Sequence, residues 1–361
     1  MALEIKRVLF IGNQAYGLCV TRRELIQAFL ENGFDVFISV PDEAPDVPLV
    51  KKCTMVRNSI SRFGTNPLSE LKTVLALRKQ IWQINPDAAI TFTIKPNLYS
   101  LIACGRRYPV IANVTGLSAF LFKSGLVPSV ISKIQNMMFK RAFCLFCQNR
   151  ETYERFERLG LKNIRLLPGS GVNVETIRYT EYPLYSGKIE CTFVARVQKD
   201  KGYWEFIEAS KRLPDWHFTV IGDGEDKTIV DAFKDCPNIT YLGKLSHNET
   251  LKNVVASHVL ILPSYHEGMA NVILEAHALG RPVLTTNVAG CIDAIEDGKT
   301  GISFVPKSSD AIVDACNRFA SLSRDECKQM GIEGRRFVEE NFDRRIVVDE
   351  YMKAIREAVG K

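Results

Sequence analysis

Two glutamates in the stretch EGMANVILEA, Glu267 and Glu275, have seven residues between them, with Gly268 beside the first and apolar residues before the second. On one continuous helix, eight steps of ~100° would leave the side chains roughly 80° out of line and about 12 Å apart along the axis, too far for one paired carboxylate site. Gly268 predicts another arrangement: Glu267 on the loop after a strand, Glu275 in the first turns of the next helix. Each carboxylate would then meet a different part of one bound molecule, and both read as exposed groups outside the packing. The backbone amides of Asn271, Val272 and Ile273 would stand at that helix's N-terminus, where unpaired N–H groups and the dipole suit a phosphate. Cations stand upstream: in FVARVQKDKGYW a strand ends with Arg196, and Lys201 and Gly202 precede a helix. An isolated EGxxxxxxE is more often a loop charge followed by a helix charge that the dipole favours. What raises this one above that is the order of the segments around it.

Those segments alternate between strand and helix. RVLFIGN (7–13), DVFISV (35–40), AAITFT (88–93) and VIANVT (110–115) read as buried strands, and TRRELIQAFLENG (21–33) as a helix closed by Gly33. A second series runs through IECTFVARV (189–197), HFTVIGDG (217–224), NITYLG (238–243), HVLILPS (258–264) and PVLTTN (282–287). Repeated βαβ units predict an α/β protein with two Rossmann-like, doubly wound parallel sheets and a ligand cleft lined by strand C-terminal ends. We place one domain at 1–170, a second at 185–344, a Gly/Pro-rich connection at 168–187, and a C-terminal helix of about 345–361 packing back on the first domain. The loop GNQAYG lacks the GxGxxG fingerprint, and the second strand ends ISVP with no acid at its end, which disfavours dinucleotide chemistry. Gly12 and Gly17 in that loop, and Gly222 in IGDGE, remain glycines at strand ends that can admit a phosphate.

Composition bounds the function from outside. The 361 residues are 46% hydrophobic and 24% charged, with formal charge +6, as in ordinary globular chains. No apolar run approaches the ~18 residues of a membrane span, and no signal-like segment opens the chain. The expectation is a cytoplasmic protein with reduced cysteines. The CxxC of Cys144 and Cys147 reads as a core strand, because no second Cys or His pair stands at zinc spacing. Residues 1–168 hold roughly 23 Lys and Arg against 12 Asp and Glu, about +11. Those cations are dispersed rather than interleaved with aromatics, so nucleic acid is not the expected partner. An anionic membrane face fits better, through the segment 119–143 with Lys123, Lys133, Lys140 and Arg141 set among Phe, Leu, Ile and Met.

Arg196 with Lys201, IGDGE, YLG, PSxxEGxxxxxLEAxAxGxPV and the glycine-rich tail after Ala289 together resemble the retaining, nucleotide-sugar-dependent glycosyltransferases of GT-B fold defined by an E-x7-E motif (family 4). The resemblance covers essentially the whole chain and is most specific over 193–303. TFTIKPNLYS (91–100) and NVTGLSAFL (113–121) resemble the branch that glycosylates polyprenyl-diphosphate-linked intermediates of bacterial surface polysaccharides and glycans. The resemblance implies that Arg196 and Lys201 grip the donor diphosphate, Glu275 accepts from the ribose, Glu267 meets the transferred sugar, and the main chain near Lys244 and Leu245 reads the base. It further implies a UDP-linked hexose or N-acetylhexosamine as donor, retention with the departing phosphate taking the acceptor proton, no cofactor or metal, and a peripheral position on the inner membrane face. Fixed cations and a helix N-terminus suit the charge that develops on phosphate.

The chain departs from the family where many members carry an N-terminal-domain histidine: its five histidines all lie from His217 onward. Lys95, Asn97, Thr115 and Gly116 are the candidates for that sugar or acceptor region, and Ser118 replaces the last glycine of the turn. No DxD occurs. His266 is expected to shape its loop, and His247, His258 and His277 to be structural. The alternatives are a sugar-nucleotide 2-epimerase of the same architecture, which needs a cleft histidine from the first half, and a non-catalytic nucleotide-sugar-binding subunit.

Overall fold

The computed structural model describes residues 6–43, 45–61, 66–116, 126–185 and 187–360. They divide into one unit of residues 1–167 with 347–361 and a second of 168–346. In chain order the first unit contains β1 (Arg7–Ile11), α1 (Ala15–Cys19), α2 (Arg23–Glu31), β2 (Asp35–Val40), β3 (Thr54–Arg57), α3 (Pro67–Ile84), β4 (Ala88–Phe92), α4 (Ile94–Cys104), β5 (Val110–Val114), α5 (Leu126–Phe139), β6 (Cys144–Cys147), α6 (Arg150–Arg158) and β7 (Ile164–Leu166). The strands form one parallel sheet in the order β3-β2-β1-β4-β5-β6-β7.

Period-two alternation along β1 explains how that sheet is covered on both faces. Val8 and Phe10 join Leu25 and Phe29 of α2 on one face, while Leu9 and Ile11 join Leu77 and Ile81 of α3, Leu101 of α4 and Phe139 of α5 on the other. Cys144 and Cys147 are interior residues of β6, and burial pushes both thiols up to about 12. All ten cysteines are free.

The second unit runs β8 (Ile189–Val194), α7 (Tyr203–Ser210), β9 (Trp216–Ile221), α8 (Lys227–Ala232), β10 (Ile239–Gly243), α9 (His247–Ala256), β11 (Val259–Leu262), α10 (Asn271–Ala278), β12 (Val283–Thr286), β13 (Gly301–Phe304), α11 (Ser309–Ala320) and α12 (Arg324–Asn341). Its parallel sheet has the order β10-β9-β8-β11-β12-β13. The chain therefore reverses its winding direction between β8 and β11, the position where such sheets open a crevice beyond the strand C-termini. A last helix, α13 (Arg344–Val359), belongs to the first unit from Val347 onward. Its Tyr351 and Ile355 enter the α2 side of the core, and the Tyr351 hydroxyl accepts from the buried Asn113 amide of β5.

Candidate active site

Three strand ends of the second unit are held in close register. Gly222, just past β9, lies so near the exit of β8 that a Cβ there would come 1.7 Å from the Ala195 carbonyl oxygen. Only glycine fits, so Gly222 is fixed by packing between strand ends. Its N–H donates to Gly243 O at 2.9 Å and its carbonyl accepts from the Tyr241 hydroxyl at 2.9 Å, which ties in the end of β10. Arg196 leaves this junction exposed, with Nη1 3.5 Å from Glu225 Oε1. Gln198 donates to the other oxygen of the same carboxylate.

Lys201 closes the short 3-10 turn Lys199–Lys201 and is buried, unlike Arg196. Gly202 follows at φ +74°, and a Cβ on it would meet Pro263 O at 2.1 Å. This close approach presses the turn onto the loop after β11, and Tyr265 N–H donates to Asp200 O at 2.9 Å to hold it there. Lys201 Nζ then reaches Glu267 Oε1 at 2.7 Å, with side-chain exposures of 11% and 17%. The buried Ser264 hydroxyl donates to the same oxygen at 2.7 Å, and Ser264 is itself held by Thr286, whose hydroxyl donates to its carbonyl at 2.6 Å. Gly290 lets the loop close: at φ +75°, a Cβ on it would lie 2.7 Å from both Glu267 O and Gly268 O.

Beyond Gly268 and Met269 the chain enters α10 without a side-chain cap. Two of the three amides expected to face a phosphate are engaged in the turn itself: Asn271 N–H donates to Met269 O at 3.1 Å and Ile273 N–H to Ala270 O at 2.9 Å. Ile273 is a core side chain, Val272 is half-buried and Asn271 is exposed. Glu275 projects a turn further on and meets His247 Nε2 at 2.9 Å through Oε1. His247 is the first residue of α9, whose start is fixed by a reciprocal capping box between Ser246 and Glu249. A histidine expected to be merely structural thus contacts a predicted site residue. Lys244, exposed, pairs with Asp223 at 3.3 Å, and Leu245 is half-buried on the same loop. His266 stands 3.8 Å from Asp200.

Arg196, Lys201, Glu267 and Glu275 therefore occupy the loops after β8 and β11 and the following helix of one sheet. The expectation that both glutamates are exposed is not met. They are only 17% and 22% exposed, because a lysine, a serine and a histidine have been brought against them. No spacing in the sequence announces those partners. Among the described residues, no three or more His, Cys, Asp or Glu side chains form a metal-binding group.

In the first unit, Gly12 follows β1, donates to Ser39 O at 3.0 Å and would bring a Cβ within 2.9 Å of Leu18 Cδ1, whereas Gly17 lies inside α1 with room for a methyl group. Lys95 pairs with Glu70 at 2.8 Å, and Tyr99 donates to the same carboxylate. Asn97 is fully buried, accepting from Thr91 Oγ1 at 2.7 Å and donating to Asn113 O at 2.8 Å. It serves the β4–β5 junction. Thr115 and Gly116 are half-buried after β5, Gly116 at φ +154°. Ser118 and Lys123 lie outside the described residues. The sequence gives no hint of Thr93, a non-glycine at φ +72°, ψ +163° between β4 and α4.

Residues 179–337 match the family model described as glycosyl transferases group 1. The chain is 26% identical, over 96% of its own length and 97% of the relative's, to the N,N'-diacetylbacillosaminyl-diphospho-undecaprenol alpha-1,3-N-acetylgalactosaminyltransferase of Campylobacter jejuni. It is 31% identical to the capsular polysaccharide biosynthesis glycosyltransferase CapM of Staphylococcus aureus over 47% of each chain. Among solved structures, the sucrose-phosphate synthase of Thermosynechococcus elongatus superposes with a TM-score of 0.81 at 17% identity, covering 98% of both chains. The Anabaena protein HepE in complex with UDP and glucose superposes at 0.77 and 14%, covering 98% of this chain and 100% of HepE. With its two Rossmann-like parallel sheets, the chain is a GT-B glycosyltransferase whose residues 179–337 match the glycosyl transferases group 1.

Proposed function

We propose that this glycosyltransferase moves a hexose or N-acetylhexosamine from a UDP-linked donor to a saccharide carried on a polyprenyl diphosphate, with retention and without a divalent metal. One observation carries the donor half: the Lys201–Glu267–Ser264 group stands with Arg196 and the His247–Glu275 pair at the C-terminal side of a single parallel sheet. Arg196 offers a planar fork and Lys201 a point charge to the diphosphate. An ammonium has three N–H donors, so Lys201 can bind a phosphate oxygen while it holds Glu267. Glu267 takes the sugar hydroxyls and Glu275 the ribose, while the main chain near Lys244 and Leu245 reads the base. The departing phosphate takes the acceptor proton, and a separate protein base is unnecessary.

The activity named for the Campylobacter relative, which is matched along nearly its whole length, supports the lipid-linked acceptor. A peripheral place on the membrane is supported by α5 and the turn after it, where exposed Ile134 and Met137 stand near exposed Lys133, Lys140 and Arg141. Among the described residues no helix is long and apolar enough to cross a membrane. Nothing favours the epimerase reading, since residues 1–167 and 347–361 contain no histidine.

The test is transfer from a panel of UDP-sugars to a polyprenyl-diphosphate-linked saccharide with EDTA present, and NMR of the product's anomeric centre. An α-linked product from an α-linked donor, formed at an undiminished rate, is expected. Rescue of an EDTA-silenced enzyme by Mn²⁺ would refute metal independence, a β-linked product would refute retention, and absence of transfer from every donor would refute the acceptor.

A further inference from the structure

We propose that the outward face of α3 is a docking surface for an anionic lipid bilayer. Successive residues of a helix turn by ~100°, so Leu68, Leu71, Leu75 and Trp82 fall within an arc of roughly 60°. Their exposures are 74%, 57%, 57% and 48%. The opposite side of the same helix is buried, with Leu77 and Ile81 in the core against the sheet. The helix is thus apolar on two faces, although the solvent face of a surface helix is ordinarily polar. Four large apolar side chains in one stripe make a patch, whereas single exposed leucines are unremarkable on a protein surface.

Charge identifies what covers it. Exposed Arg78 borders the stripe on one side, and exposed Lys72 and Lys79 border it on the other. The guanidinium groups of Arg78 and Arg107 lie over the Trp82 ring at 5.3 and 4.9 Å. The single acid of α3, Glu70, is turned toward Lys95 and Tyr99. An apolar stripe with cationic margins and a tryptophan near its end is the composition of a helix lying in a membrane interface. The margins can reach the headgroups while their stems stay apolar. A second copy is the poorer occupant, because a twofold contact through this face would set one cationic margin against another. The α4 helix packs against both α3 and α5, so this face lies in the same helical layer as Ile134 and Met137. The proposal deepens the lipid-linked-acceptor reading and rests on it for its purpose.

The experiment uses the full chain with vesicles of phosphatidylcholine and phosphatidylglycerol in equal parts, at low salt, against pure phosphatidylcholine. Binding to the anionic vesicles is expected. Quenching of Trp82 by brominated lipid should disappear in Trp82→Phe, and Leu71→Ser/Leu75→Ser should lower partitioning on the order of tenfold or more. Lys72→Gln/Arg78→Gln/Lys79→Gln should weaken binding and flatten its salt dependence. Melting temperature and donor hydrolysis should stay at wild-type values, because these side chains are exposed and outside the donor site. Wild-type partitioning in the leucine double variant overturns the assignment to α3, as does equal binding to uncharged vesicles. Dimerisation that the leucine substitutions abolish, without vesicle binding, assigns the face to a second copy instead. Transfer to a short-chain, water-soluble acceptor separates the two readings: its absence in the wild type refutes the acceptor class, whereas the vesicle measurements judge α3 alone.

Discussion

Glu267 and Glu275 share a motif but have different surroundings, and their substitution should separate kinetically. Glu275, held by His247, is assigned to the ribose, whose contacts change little on the way to the transition state. Glu275→Ala should chiefly raise the donor KM. Glu267 is assigned to the sugar that gains oxocarbenium character, so Glu267→Gln should cut kcat, by ~10²-fold on the scale of a lost transition-state contact. Steady-state kinetics with varied donor decide this, and equal, purely KM-type effects would refute the division. Glutamine is the better probe at 267. Removing the side chain strands the buried Lys201 ammonium and the Ser264 hydroxyl, so Glu267→Ala should cost about 2 kcal/mol of stability, well above the few tenths expected for an exposed position. Urea denaturation of the two variants measures the difference. Arg281 illustrates the same dependence on partners. It is fully buried and donates to the carbonyls of Val255, Thr180, Glu181 and Leu279, so burial pulls its pKa down while backbone dipoles stand in for a carboxylate.

At the level of elements, backbone geometry sets what can be replaced. α12 lies so close to the end of α10 that a Cβ on Gly331 would come 2.1 Å from Gly280 O, and one on Gly334 would come 2.5 Å from His277 Nδ1. Gly331→Ala should therefore destabilise the protein by about 2 kcal/mol or more despite the better helix propensity of alanine. A thermal melt reads this directly, and an unchanged melting temperature would show that the helix pair can spread. Thr93 is the opposite case. Its backbone lies in a region otherwise occupied almost only by glycine, and its buried hydroxyl has no partner among the described residues. Thr93→Gly should raise stability in urea by about 1 kcal/mol after the entropic penalty of glycine. A stabilised variant with impaired transfer would tie that strain to the neighbouring Lys95.

The molecule as a whole should be acid-labile below neutrality. Burial lowers His277 from its usual 6.5 to about 4, and His258 is lowered in the same direction by burial. The unfolded chain binds a proton near pH 6.5, whereas the folded chain leaves His277 neutral until about pH 4. Stability contributed by the neutral ring is thus full above pH 6.5 and falls as pH drops toward 4, by ~3 kcal/mol in total. His277→Asn keeps an amide where Nδ1 donates to Arg281 O and removes the titration. It should flatten the pH dependence of unfolding in this window, whatever its effect on absolute stability. An identical slope in both proteins would exclude His277 as the source.

The alternation of apolar strands with helices, read from residues such as those of VLIL in β11, was enough to establish two parallel-sheet units, because strands buried on both faces leave a local signature of continuous hydrophobicity. Position along the chain likewise puts Arg196, Lys201 and Glu267 after strand ends and Glu275 in the first turns of the next helix, since a strand pattern stops and a glycine or helix begins there. Local pattern carries no information about which side chains meet across strands. That Lys201 sits on Glu267, that Ser264 shares the same oxygen, that His247 holds Glu275, and that Asn97 is spent inside the fold were decided by the stacking order β10-β9-β8-β11 in one sheet and β1-β4-β5 in the other. Gly222 shows the same division: the sequence marks it as a glycine at a strand end, but only the close approach of Ala195 O gives the reason no other residue fits.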